Sequence, residues 1–312
     1  MSLASIYKEL KKSIVAFVPK YLPQADAGLE IPPVLGTGFV VRADGVIVTN
    51  DHVIQSFKEV YRPPQTPPED WGVQAMLLYP DPSGVLDIRI DVAGVARFGP
   101  SRGGRVRSGT SHPDLGMVQV NAAGLPALAV DSSREILEGM EIATAGYPLG
   151  RHALAAPSGL RQATPTLQRG IVSAVLPYPK PRPRAMTINI MAHGGASGSP
   201  VFLTDSGTVI GMLYLALSDV GRTEGNEIYT MPTTISYVVP AHYIQRALTL
   251  IESESGLTSV KFERTLADII CERQPDCLFE QGSGSRLIET PVRPETGTNV
   301  RILEPSNRAP AK

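Results

Sequence analysis

The sequence has little cysteine, no excess of charge of either sign and no long hydrophobic run. Only two of its 312 residues are cysteines, Cys271 and Cys277, so disulfide bonds cannot form the framework of the fold. The two thiols are near enough in sequence to close one small loop, but two reduced cysteines are the expectation for a chain without a secretory signal. The apolar runs fall short of the roughly 18 residues that a membrane-spanning helix needs.

The charge balance and the N-terminal sequence bear on the partners and the location of the protein. Because the net charge is −1, nothing in the composition favours binding to nucleic acid or to an anionic membrane surface. The paired Lys11 and Lys12 follow apolar residues, and no small-residue cleavage site follows a long apolar stretch, which differs from a secretory signal. We therefore expect a cytoplasmic protein whose partners include neither nucleic acid nor membranes, with the oligomeric state left open.

Glycine and proline, in contrast, are abundant and divide the chain into short apolar segments. The 29 glycines and 28 prolines fall between strand-length runs such as residues 38–41, 46–48 and 171–175. Short apolar runs separated by turn residues are typical of an all-β protein, either a barrel or a sandwich.

Two segments near the end of the chain depart from this β pattern. Residues 241–253 predict a packing helix, since their apolar side chains recur every three or four positions. The tail, residues 255–312, has charged, Ser/Gly-rich and Pro-rich pieces and is predicted to be partly disordered, with a short amphipathic segment at 262–271 that docks on the main domain of residues 1–254. The apolar stripe of the predicted helix consists of Ile244, Ala247, Leu248 and Ile251.

The segment HGGASGSP, residues 193–200, concentrates glycine around one serine, Ser197. Glycine weakens a strand and has no side chain to pack, so this composition indicates a tight turn that exposes its backbone. A serine hydroxyl in such a turn can act as a nucleophile, and the N–H groups of Gly195 and Ser197 can bind a developing oxyanion. The sequence therefore predicts a nucleophilic serine beside an oxyanion hole.

A serine nucleophile needs a base, and the base needs a carboxylate that orients it. We favour His52 over His193 as the base, because His52 follows an apolar strand in GVIVTNDHVI and can face a cleft from there. Asp114, in HPDLGMVQV, precedes a strand and is the favoured carboxylate. Asp87 and Asp91, in VLDIRIDVAG, are alternatives whose alternation is more typical of a solvent-facing strand edge.

Seven short motifs occur in a fixed order between residues 10 and 252. In this order they resemble the chymotrypsin-fold, or trypsin-like, serine proteases, and among these the chain is most similar to the HtrA/Deg-type branch. The motifs are GTGFVV at 36–41, IVTNDHV at 47–53, DLGMVQV at 114–120, AGYPLG at 145–150, GIVSAV at 170–175, GASGSPVF at 195–202 and VVPAHYI at 238–244.

The resemblance implies an all-β fold of two six-stranded antiparallel β-barrels with a cleft between them and a C-terminal helix. The two barrels would span roughly residues 1–130 and 131–254. The first would carry His52 and Asp114, and the second would carry Ser197.

The chain departs from the usual pattern of this branch in four places. Ala196 stands where the branch usually has Asn or Asp, so no side chain there can brace the oxyanion turn, and Ser199 stands where the branch usually has Gly. The segment between His and Asp is lengthened by a Pro-rich insert at residues 61–70. The tail at 255–312 is too short for the peptide-binding PDZ domain that many members carry.

By position in the motif, the substrate pocket would be formed by four residues. Met191 would lie near its base, and Met212, Leu213 and Tyr214 would form one wall. Because no acidic residue stands at position 191, the resemblance implies a preference for apolar side chains rather than for Lys or Arg.

These observations predict a serine endopeptidase with a His-Asp-Ser triad that acts on proteins or peptides through an acyl-enzyme. A different reading is a catalytically silent barrel that binds peptides or a partner protein in the same cleft. We expect no cofactor and no metal, because no cluster of His, Cys and carboxylate residues has the spacing of metal ligands.

Overall fold

A computed structural model describes residues 1–26, 32–81, 84–98, 113–149, 164–177, 182–222, 228–254, 262, 264–273 and 301–302. The strands are β1 (Ile14–Pro19), β2 (Gly36–Arg42), β3 (Val46–Thr49), β4 (Val73–Asp81), β5 (Gly84–Arg97), β6 (Gly116–Val120), β7 (Glu141–Gly146), β8 (Thr166–Leu176), β9 (Ala185–Ile188), β10 (Pro200–Leu203), β11 (Val209–Arg222), β12 (Ile228–Pro240) and β13 (Arg301–Ile302). The α-helices are α1 (Leu3–Leu10), α2 (Asp51–Ser56), α3 (Ala241–Glu254) and α4 (Leu266–Arg273).

The strands form two closed barrels of six antiparallel strands each. The order in the first is β5-β4-β1-β2-β3-β6, and β5 closes it by pairing with β6 as well as with β4. The order in the second is β10-β11-β12-β9-β8-β7, which is also closed. The short β13 adds to β5 outside the first barrel. The predicted pair of six-stranded antiparallel barrels is therefore confirmed.

Strand β1 contributes to two hydrophobic cores, one inside the first barrel and one between the barrels. All six of its residues are buried, although strands of an antiparallel sheet commonly alternate between the core and water. Its side chains Val15 and Phe17 belong to the core of the first barrel. Ile14 and Ala16, which point the other way, belong to a cluster that also contains Phe202 of the second barrel. Both faces of β1 are thus apolar because one lines a barrel and the other lies between the barrels.

Two helices complete the core between the barrels. Ile244, Ala247 and Ile251 of α3 are buried there, so the predicted C-terminal helix is confirmed and its apolar stripe packs as expected. The N-terminal helix α1 buries Ile6 and Leu10 in the same cluster. In the described part of the chain no helix is long and apolar enough to cross a bilayer.

Helix α4 packs against the first barrel, although it follows the second barrel in sequence. Leu266 and Ile270 are buried among the core residues of the first barrel. The N–H of Leu266 donates to the carbonyl of Ala123 at 2.8 Å, and the N–H of Ala123 donates to the carbonyl of Arg264 at 3.2 Å. The disorder predicted for the tail, and Cys277, fall on residues outside the described ones.

Replacement of Ile270 by Ala is expected to lower the free energy of unfolding by about 2–4 kcal/mol, since it leaves a cavity in the first barrel's core. Ile171→Ala is the matched control, because Ile171 is 39% exposed whereas Ile270 is 5% exposed. Chemical denaturation of both variants measures the difference. Equal losses would show that α4 does not contribute to the core.

Candidate active site

His52 and Asp114 are brought together by the pairing of β3 with β6. Thr49 pairs with Gly116 at the end of this ladder, so the residues that follow β3 lie beside those that precede β6. The Nδ1 atom of His52 lies 2.5 Å from Oδ2 of Asp114, and the backbone N–H of His52 donates to Oδ1 at 3.1 Å. The side chain of Asp114 is 2% exposed, whereas that of His52 is 41% exposed. A buried carboxylate therefore holds one edge of an imidazole whose other edge is accessible.

The two alternative carboxylates have other partners. Asp87 accepts a hydrogen bond from Arg89 at 2.7 Å. Asp91 accepts from Lys20 at 2.7 Å and from Gln74 at 2.8 Å. The structure thus places Asp114, and neither of these two, against His52.

The turn that carries Ser197 lies between β9 and β10 and is pressed against the first barrel. The carbonyl of Ser197 accepts from the N–H of Thr37 at 2.8 Å. Gly198 has a φ of +90°, and a Cβ atom there would lie 1.8 Å from the carbonyl oxygen of Thr37 and 2.6 Å from Oγ1 of Thr49. Only glycine allows the backbone at position 198 to come so near to Thr37 and Thr49. This contact places the serine turn against the end of β3, the strand that leads into α2 and His52.

Within the described residues, no hydrogen bond joins the hydroxyl of Ser197 to the ring of His52. Such contacts are often long without substrate and shorten when it binds. The candidate base and carboxylate are thus in direct contact, and the turn that carries the candidate nucleophile packs on Thr37 and Thr49 of the same barrel. The alternative base, His193, takes part in the serine turn through its carbonyl oxygen, which accepts from the N–H of Ala196 at 3.0 Å.

That last hydrogen bond closes a β-turn over residues 193–196. Its third residue, Gly195, has a φ of +91°, as a type II turn requires. The carbonyl of Gly194 accepts from the N–H of Leu149 at 2.6 Å. Because a trans peptide points its C=O and N–H in opposite directions, the N–H of Gly195 points away from Leu149.

The two N–H groups predicted for the oxyanion hole are available in this conformation. No hydrogen bond between described residues uses the N–H of Gly195 or that of Ser197. Backbone donors that are held in place but unused are what stabilisation of a developing oxyanion requires.

The family of the chain follows from its sequence match. The family model "Trypsin-like peptidase domain" matches residues 36–212. The chain belongs to this family. The matched range contains His52, Asp114 and Ser197, and the resemblance to trypsin-like proteases is confirmed.

Solved structures of two proteases resemble this trypsin-like chain in fold. The serine endoprotease from Yersinia pestis is 16% identical, with a TM-score of 0.48, and the alignment covers 80% of this chain and 66% of that one. The HtrA-type protease AlgW with a decapeptide is 15% identical, with a TM-score of 0.49, and the alignment covers 81% of this chain and 68% of that one. This chain thus spans about two thirds of their length. A comparison with curated proteins finds no significant match.

The four predicted pocket residues of this trypsin-like domain differ in accessibility. Met212 and Leu213 are buried, at 0% and 2% exposure, and belong to the cluster between the barrels and to the second barrel's core respectively. Met191 and Tyr214 are half-buried. Burial, with a smaller effect of the neighbouring Tyr237, raises the pKa of Tyr214 to about 12, further above physiological pH, where a phenol is neutral even without this shift. Met191 and Tyr214 are the two of the four that retain accessible surface.

A polar cluster that lies beside the site was not identified from the sequence. Asp51, which immediately precedes His52, is buried and forms an ion pair with Arg97, whose Nη2 atom lies 2.7 Å from Oδ2 of Asp51. The hydrogen bond to Asp51 raises the pKa of Arg97, and Gln55 donates to the same carboxylate at 2.6 Å. The presence of Asp51 within a largely apolar stretch was the only feature of the sequence that could have indicated this cluster. In the described part of the chain, no group of three or more His, Cys, Asp or Glu side chains could hold a metal.

Proposed function

We propose that the chain is a serine endopeptidase in which Ser197 is the nucleophile, His52 the general base and Asp114 the orienting carboxylate. The observation that carries the proposal is the contact between the buried Asp114 and the partly exposed His52, beside a serine turn whose shape depends on Gly198. Membership of the trypsin-like peptidase family supports the same reaction.

Asp114 would act through the tautomer of His52. Its contact with Nδ1 keeps the proton on that nitrogen, so that Nε2 has a lone pair for the proton of the Ser197 hydroxyl. The carboxylate also stabilises the imidazolium that forms when the proton is taken up. Its burial keeps water from competing for the imidazole N–H.

The proposed reaction has two halves. The Ser197 oxygen attacks the peptide carbonyl carbon while His52 takes the hydroxyl proton, and the resulting oxyanion accepts hydrogen bonds from the N–H groups of Gly195 and Ser197. Collapse of this intermediate breaks the C–N bond, and the leaving amine receives the proton from His52. Water, activated by the same imidazole, then hydrolyses the acyl-enzyme.

We propose that the substrates are proteins or peptides with an apolar residue before the scissile bond. Of the predicted pocket residues, Met191 is apolar and half-buried, and Tyr214 carries a phenol, which is neutral at physiological pH. Neither offers a negative charge to Lys or Arg. Unfolded casein is a suitable first substrate, because it presents many apolar residues in an extended chain.

Labelling with a fluorophosphonate probe tests the proposal, since the probe forms a covalent bond only with an activated serine. We expect the wild type to be labelled, and Ser197→Ala and His52→Ala to lose labelling by about 10³-fold or more. His193→Ala is the matched control and should label like the wild type. A well-folded wild-type protein that does not label would overturn the proposal and identify a catalytically silent barrel.

A further inference from the structure

Thr37, the second residue of β2, makes three hydrogen bonds to the second barrel and one within the first. It is fully buried. Its hydroxyl donates to the carbonyl of Gly195 at 2.7 Å and accepts from the N–H of Tyr147 at 3.1 Å. Its backbone N–H donates to the carbonyl of Ser197 at 2.8 Å, and its own carbonyl accepts from the hydroxyl of Thr49 at 2.7 Å. One side chain from the first barrel is thus bonded to the oxyanion turn of the second.

A second hydroxyl holds the next peptide of the same turn. The Ser199 hydroxyl is buried and donates to the carbonyl of Ala196 at 2.6 Å, and the Ser199 N–H donates to that oxygen at 3.0 Å. The N–H of Leu149 donates to the carbonyl of Gly194, and the hydroxyl of Thr37 donates to that of Gly195. Three consecutive carbonyls of the turn, those of residues 194–196, therefore accept hydrogen bonds.

We propose that the hydroxyls of Thr37 and Ser199 are positioning groups for the oxyanion hole, in place of a polar side chain at position 196. The inference rests on the proposed function. Both hydroxyls bond to backbone oxygens of the turn, so neither touches the reacting atoms. They fix the two peptides between Gly195 and Ser197, which are the residues whose N–H groups would bind the oxyanion.

The packing around these hydroxyls is specific to them. A Cβ atom on Gly146 would lie 1.9 Å from Oγ of Ser199 and 2.9 Å from Oγ1 of Thr37. The end of β7 therefore has no side chain at the point where both hydroxyls reach the turn.

Thr37→Ala and Thr37→Ser separate the hydroxyl from the packing, because both remove the methyl group and only the second keeps the oxygen. The measurement is the saturation kinetics of fluorophosphonate labelling, which gives a maximal rate and a half-saturation concentration. We expect Thr37→Ala to lower the maximal rate about tenfold to a hundredfold, because the carbonyl of Gly195 and the N–H of Tyr147 lose their partner. The half-saturation concentration should stay nearly unchanged, since the hole acts on the transition state. Thr37→Ser should retain most of the rate.

Two further variants complete the design. Ser199→Ala should lower the maximal rate about tenfold or more, and it tests the inference independently if Thr37→Ala does not fold. Thr144→Ala is the control, because Thr144 is also buried and its hydroxyl has no hydrogen-bond partner within the described chain; its labelling rate should equal that of the wild type.

The outcomes separate the inference from the proposed function. Equal losses in Thr37→Ala and Thr37→Ser would indicate that only the packing of Thr37 matters. Wild-type rates in Thr37→Ala or in Ser199→Ala would show that the hydroxyl removed does not position the oxyanion hole. Either result overturns the inference, while labelling of the wild type still supports the proposed peptidase. A folded wild type without labelling overturns both.

Discussion

Replacing Asp114 by Asn is expected to lower kcat about 10⁴-fold while the protein remains folded. The amide has nearly the same volume as the carboxylate, and its oxygen can still accept from the backbone N–H of His52, which now bonds to Oδ1. Its NH2 group, however, would face Nδ1 and donate to it. The ring proton would then move to Nε2, which could no longer accept the proton of Ser197. The loss should therefore appear in the rate of catalysis and hardly in thermal stability.

Asp91→Asn provides the matched control for this experiment. Its side chain is 46% exposed and bonded to Lys20 and Gln74, so hydrolysis of casein should proceed at the wild-type rate. The two variants differ in charge from the wild type by the same amount, which excludes a general electrostatic effect. Equal activities of Asp114→Asn and Asp91→Asn would contradict the assignment of Asp114.

Gly198→Ala is expected to abolish measurable activity and to lower the free energy of unfolding by more than about 3 kcal/mol. The φ of +90° at this position is strained for any residue with a Cβ atom, at about 1–3 kcal/mol. The added methyl group would also lie 1.8 Å from the carbonyl oxygen of Thr37, and backbone atoms cannot yield as a flexible side chain can. The turn would have to move away from the first barrel, taking Ser197 with it.

Gly139→Ala separates the two causes. Gly139 has a φ of +85°, but a Cβ atom there would meet nothing within 4 Å. We expect the free energy of unfolding of this variant to fall by only about 1–2 kcal/mol, the cost of a positive φ for a residue with a Cβ atom, and its activity to stay at the wild-type level. Denaturation curves and labelling of both variants measure the difference. Similar losses at the two positions would show that the contact with Thr37 does not constrain the serine turn.

The local features of this protein could be predicted from its sequence. The stripe of Ile244, Ala247 and Ile251 specifies helix α3 because its spacing depends only on the helical repeat. The short apolar runs between glycines and prolines specify strands for the same kind of reason, and the glycines around Ser197 specify a turn. Family resemblance then supplied the closure into two six-stranded barrels, which periodicity alone left open between a barrel and a sandwich.

Contacts between distant residues were decided only by the tertiary structure. His52 and Asp114 are 62 positions apart. Local sequence favoured Asp114 over Asp87 and Asp91 by its context, but it could not show which of the three carboxylates contacts His52. Thr37 is 158 positions from Gly195, and in sequence it is an ordinary strand residue. The sequence by itself therefore determined the strands, the C-terminal helix and the glycine-rich turn. The pairing of β3 with β6 determined which carboxylate faces the histidine. The packing of one barrel on the other determined which hydroxyls hold the turn. Both depend on contacts between distant residues, which no local sequence pattern records.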